Sequence, residues 1–286
     1  MTKWLRAQGG RDGVADASIT SASNVSLVFN KFGACWEKDG AATPVLDKDK
    51  FRGEVERALS LVMLPSGGKV YRCLVRDCDN FKHYTDVLAR RAALVTARGG
   101  KTLPATSDWR FVTGTGIENP LEVGIELHPV YGVPYWPSPG VKGLTRHFAE
   151  HWAEPQIAES VLQRIFGPRL KPGDEGGTAG SVVFFDALPD PDVALEFDVM
   201  TPHYGDWYRD AKNAPGDWMS PKVIEFLAVP AGTKFHFAVA PRRPGDAGDL
   251  ADIDECKKWL VDALSWLGAG AKTKAGYGRF AGPGGQ

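Results

Sequence analysis

Two lysines, Lys272 and Lys274, stand inside a frame of four glycines in GAGAKTKAGYG (268–278). Gly268 and Gly270 open the frame, and Gly276 and Gly278 close it after five residues. Glycine permits positive φ and lets a phosphate approach the backbone closely. Successive amides in such a turn form an anion-binding concavity, and the ammonium groups add point charges for phosphate. The G-x-x-x-x-G-K-[ST] register is missing and a strand, not a helix, is expected to follow, which excludes a nucleotide-hydrolysing loop. The same composition also suits a plain turn between a helix and a strand.

A second group lies in GVPYWPSPGVKGLTR (132–146). Lys142 falls in the first turn of an expected helix, where the dipole disfavours a cation. An RNA phosphate at that helix end would make the placement favourable. Arg146, one turn on, either extends that contact or pairs with Glu150 at i+4. Tyr135 and Trp136 sit in an aromatic loop and are candidates for base stacking, with core packing as the alternative. His128 and His203, near Tyr131 and Tyr204, are candidate acid–base groups. A structural hydrogen bond is the plainer role for either histidine. Asp198, Asp206 and Asp210 show no metal-ligand spacing, and Asp186, at a strand end, reads as a cap. No metal and no cofactor is expected.

These residues need elements to position them. Apolar spacing predicts helices over 48–64 and 80–97, the second stopped by Gly99 and Gly100. VSLVF (25–29) reads as a short strand or the start of a helix. Strands are expected at 109–116 and 121–129. A helix starts after the aromatic loop, with Ser138 as N-cap and Pro139 in its first turn, and a short one follows over 157–166. SVVFFDALP and ALEFDVM read as strands. VIEFLAV and KFHFAVA flank Pro-Ala-Gly-Thr as a hairpin. An amphipathic helix over 253–267 and a short strand at GYGRF close the chain. From 109 onward the order fits βαββαβ, a ferredoxin-like (RRM-like) α+β domain with insertions.

The chain has 286 residues, 43% hydrophobic and 24% charged, enough for one large domain or a domain with an extension. A net charge of -1 gives no global basic field, so any nucleic-acid surface must be local. The four cysteines form no C-x-x-C pair and read as reduced thiols. Neither a membrane span nor a signal peptide is evident, and a cytoplasmic location is expected.

The G-x-G-x5-G-x-G frame with basic residues inside it resembles the hallmark loop of the RAMP superfamily of CRISPR proteins. GVPYWPSPGVKGLTR resembles a second motif of the superfamily, departing from it at Ser138, Pro139 and Gly140. With FDVMTPHYGDWY (197–208), the pattern is most similar to the family of sixth subunits of type III-B Cmr effector complexes. The resemblance covers the chain from Trp109 to its end. It implies a non-catalytic RNA-binding subunit that holds guide (CRISPR) RNA and target RNA beside sister RAMP subunits. Lys142 and Arg146 take the basic positions of one motif, and Gly268, Gly270, Lys272, Lys274, Gly276 and Gly278 take the loop. The domain would span 106–286, after a mostly helical N-terminal extension over 1–105. Two other roles stay open: a metal-independent endoribonuclease acting through His203 or His128, and a protein scaffold.

Overall fold

The computed structural model describes residues 36–37, 45–46, 59–63, 69–73, 80–117, 123–170, 177–210 and 214–281. The expectation for 25–29, the start of the 48–64 helix and the first residues of the 121–129 strand fall outside them. The fold is mixed α/β with antiparallel sheets. Its first strands are β1 (Trp36–Glu37) and β2 (Val45–Leu46), which pair with each other. Next come β3 (Leu59–Met63) and β4 (Lys69–Cys73), which pair in antiparallel register from Leu59 opposite Cys73 to Met63 opposite Lys69. This corrects the helix expected over 48–64 at Leu59–Met63, the part of it that is described. Leu59, Leu61 and Met63 alternate as a strand requires, and Pro-Ser-Gly-Gly lies between the two strands.

The helix expected at 80–97 is present as α1 (Asn80–Ala97), and β5 (Lys101–Thr106) follows directly. Then come α2 (Ser138–His151), α3 (Glu159–Phe166), β6 (Val182–Phe184) and β7 (Leu188–Pro189). The second half holds β8 (Ala194–Met200), α4 (Gly205–Asp210), β9 (Ile224–Ala228), β10 (Lys234–Pro241) and α5 (Ala247–Trp266). One sheet runs β5-β10-β6, with β7 also pairing to β10. The other runs β3-β4-β8-β9. Segment 109–116, expected as a strand, contributes only one bridge, Phe111 with Val229.

The expected hairpin of VIEFLAV with KFHFAVA does not form. β9 pairs with β8, and β10 pairs with β5 and β6, so the Pro-Ala-Gly-Thr turn carries the chain from one sheet to the other. The backbone groups that would have closed the hairpin are taken by residues 107–111. Ser107 N–H donates to Thr233 O (3.0 Å), Gly232 N–H to Ser107 O (2.7 Å) and Phe111 N–H to Val229 O (2.9 Å). Satisfying buried backbone groups decides the pairing here, and adjacent apolar runs do not reveal which partner wins.

α2 packs on α5, and both reach β6. Their apolar residues join Phe111, Phe235, Phe237 and Phe280 in one core. These rings meet edge to face, as their quadrupoles favour. Asp246 caps α5, its carboxylate accepting from the Asp249 N–H at 3.0 Å. None of the described helices is long and apolar enough to cross a membrane.

Candidate nucleic-acid interface

α5 ends where the glycine frame begins. Gly268 donates its N–H to Ala263 O at 3.0 Å and has φ +78, the left-handed turn that stops many helices. The other three glycines are left-handed too: Gly270 at +77, Gly276 at +92 and Gly278 at +70. Between the pairs, Thr273–Ala275 makes a single 3-10 turn, entered through Lys272 at φ +59.

The frame is stitched to the fold on both sides. Ala269 N–H donates to Gly278 O (2.7 Å), Ala271 N–H to Val112 O (2.7 Å) and Gly278 N–H to Arg110 O (2.8 Å). A Cβ on Gly270 would run into the Val112 carbonyl, and one on Gly278 into the Ala269 carbonyl. Gly276 has open space around it. The spacing of the motif is thus the spacing of two stitched glycine pairs around a protruding turn.

The frame rests on one face of β8. Alternate residues of a strand share a face, and Glu196, Asp198 and Met200 all receive partners: one each for Glu196 and Met200, two for Asp198. Arg110 Nε donates to Glu196, and Arg110 also lies 3.6 Å from Asp198. Tyr277 donates its hydroxyl to Asp198 Oδ2 at 2.6 Å. Burial and the Asp198 bond push the Tyr277 phenol up to about 12. Lys272 Nζ lies 3.5 Å from Met200 Sδ and 4.6 Å from the centre of the Phe226 ring. Lys272 is therefore half-buried and anchored, while Lys274 is exposed and engages no partner among the described residues. Sequence reasoning missed Arg110, Glu196, Asp198 and Tyr277 as the seat. The i, i+2 acids of ALEFDVM were the available signal.

The second motif divides differently. Pro137, not Ser138, is the N-cap of α2, and no side chain of its own bonds there. Asp186 does the capping: its Oδ1 accepts the Ser138 N–H at 2.7 Å. Pro137 has no side-chain oxygen to cap with, so a carboxylate from a distant strand end takes over. The anion that Lys142 calls for at this helix end is thus at least partly supplied by the protein. Lys142 is half-buried and engages no partner among the described residues. Arg146 is held in the fold: Nε donates to Glu150 (2.7 Å) and Nη1 to Gly167 O (3.0 Å), joining α2 to the end of α3. Burial raises the Glu150 carboxyl, but its bonds from Arg169 and Arg146 outweigh that and hold it below the ordinary value.

Trp136 is 8% exposed and packs in the core against Phe111 and Phe237, so it is not presented to a base. Gly140 makes room for it, since a Cβ there would stand 2.5 Å from the indole nitrogen. Tyr135 is half-buried, its hydroxyl pushed up to about 12 by burial and Glu126.

The histidines do not converge. His128 Nδ1 accepts from the Val130 N–H (3.2 Å), and its ring lies 4.6 Å from that of Tyr131. His203 is exposed, 6.1 Å from the Tyr204 ring, and shares no contact with His128 among the described residues. Burial lowers the His128 pKa, so the unfolded chain takes up this proton more readily than the fold. Stability should therefore be full above about pH 6.5 and fall as pH drops below it. Thermal melts at pH 7.5 and 5.5 should show a larger acid loss for the wild type than for His128→Gln. Equal losses would remove this group from the account. No group of three or more His, Cys, Asp or Glu among the described residues could hold a metal ion.

The model of the RAMP superfamily matches residues 102–281. The CRISPR system Cmr subunit Cmr6 of Pyrococcus furiosus is 31% identical over 300 residues, covering 82% of this chain and 81% of that protein. The chain belongs to the RAMP superfamily and, within it, to the Cmr6 family. The Cmr6 subunit of Saccharolobus solfataricus is 26% identical over 288 residues, covering 92% of this RAMP chain and 89% of its own length. A chain of the type III-B Cmr-beta complex, solved by cryo-electron microscopy bound to cognate target RNA, shares the fold. Its TM-score is 0.53 at 19% identity, over 98% of this RAMP chain and 96% of that one.

Proposed function

We propose that this chain is a non-catalytic, RNA-binding subunit of a cytoplasmic type III-B CRISPR effector ribonucleoprotein. It holds guide and target RNA beside sister RAMP subunits. The observation that carries this reading is the turn between the stitched glycine pairs, which puts Lys274 in solvent on a rigid base with Lys272 behind it. Its context is the Cmr6 family and a structural neighbour solved with target RNA.

In this reading the RNA backbone lies along the glycine frame and the lysines neutralise its phosphates. Lys142 adds a contact at the start of α2. Arg146 acts indirectly, by holding α2 to α3. The RNA-binding unit is a ferredoxin-like βαββαβ domain. β5, α2, β6, β10, α5 and the segment around Phe280 take the six places. Two facts support this order: β10 lies between β5 and β6, and Phe280 bridges Ser107 beside β5. β8 and β9 are then an insertion that seats the frame.

Binding of the full chain to a labelled single-stranded RNA, followed by anisotropy at several salt concentrations, tests the proposal. The logarithm of the binding constant should fall with a slope of about -0.7 per phosphate contacted. Three lysines give roughly -2. Absence of binding at low salt, in a chain that also joins no sister subunit, would contradict it.

A further inference from the structure

We propose that Trp109 is the stacking platform for one unpaired nucleobase of the RNA held by the glycine frame; this rests on the RNA-binding reading above. Trp109 is 49% exposed, whereas Trp136 and Trp259 are in the core. It lies directly beside the frame. Asp108 N–H donates to Arg279 O (2.9 Å) and Gly278 N–H donates to Arg110 O (2.8 Å), so Trp109 is bracketed by two bonds to the last glycine of the motif and the residue after it.

The ring is backed rather than loose. The Arg110 guanidinium carbon lies 4.9 Å from its centre. Arg110 is in turn fixed by Glu196 and Asp198 on β8. A cation over an indole is attracted by the ring's negative face, and fixing that cation from a strand limits how far the ring can swing. About half of the residue still faces solvent. An indole held this way gives a base a flat surface with little ordering left to do. Stacking of this kind tolerates any base, because every base has a π-face. It suits RNA recognition in which backbone contacts hold the strand and splayed bases rest on aromatic rings.

The test uses the full chain, a labelled single-stranded RNA and the same oligonucleotide with abasic sites. Trp109→Ala should weaken RNA binding roughly 5- to 100-fold at fixed salt. The salt slope should stay unchanged, because no charge is lost. Trp109→Phe should recover most of the affinity, which separates stacking from damage to the fold. Wild type and Trp109→Ala should bind the abasic strand equally. Wild-type affinity in Trp109→Ala would overturn the proposal. So would unchanged RNA affinity with lost association to a sister subunit, which would make Trp109 a protein-interface residue. If Lys272→Ala/Lys274→Ala weakens binding while Trp109→Ala does not, only the stacking role fails. If neither variant changes binding, the RNA-binding reading fails with it.

Discussion

Alanine at Gly278 is expected to destabilise the fold by about 3–5 kcal/mol, whereas alanine at Gly276 should cost about 1 kcal/mol. Both residues have left-handed φ, +70 and +92. Both substitutions therefore carry the backbone strain of an L residue in that region. Only at Gly278 does the new Cβ also meet a backbone carbonyl, that of Ala269. That carbonyl belongs to the residue whose N–H is bonded to Gly278 O at 2.7 Å. Relieving the clash therefore breaks the stitch and loosens the turn carrying Lys272 and Lys274. In thermal melts, Gly278→Ala should lower Tm by roughly 6–15 °C and Gly276→Ala by a few degrees. Equal, small shifts would mean that the frame is not held as described.

The double substitution Lys272→Ala/Lys274→Ala should weaken single-stranded RNA binding roughly 10- to 100-fold at low salt. It should also make the salt slope shallower by about 1.4, two lysines at 0.7 each. The singles should differ. Lys274 is exposed and without partners among the described residues, so Lys274→Ala should change binding and leave stability alone. Lys272 sits over the Phe226 ring, so Lys272→Ala should also cost about 0.5–1 kcal/mol of stability. The loss should be similar for any RNA sequence, because phosphates carry no base information. Unchanged affinity in the double variant would contradict the loop's role.

What the sequence revealed, and what it hid, follows from the range of the interactions. The helix at 80–97 was legible because its apolar spacing and its Gly-Gly stop are local. The glycine frame was legible because positive φ leaves a residue-type signature, and all four glycines use it. Asp186 was read as the cap of its own strand end, whereas what it caps is the start of a helix 48 residues earlier in the chain. Other features depend on partners distant in the chain. Leu59–Met63 has apolar residues that fit a helix or a strand, and pairing with β4 decides between them. β9 and β10 follow each other closely yet enter different sheets, because residues 107–111 occupy the backbone groups between them. Trp136 stands in an aromatic loop, but the loop folds over the core, so loop position gave the wrong exposure. Arg110 was hidden for a related reason. Its acidic partners, Glu196 and Asp198, lie on a strand 86 residues or more further on.

The central claim is that RNA lies along the glycine frame. Photo-crosslinking of the chain in its purified ribonucleoprotein, with the RNA-linked peptides identified by mass spectrometry, tests it most directly. The account predicts linked residues within 268–279, at Trp109 and near Lys142. Crosslinks confined to other surfaces, with these segments unmodified, would contradict it.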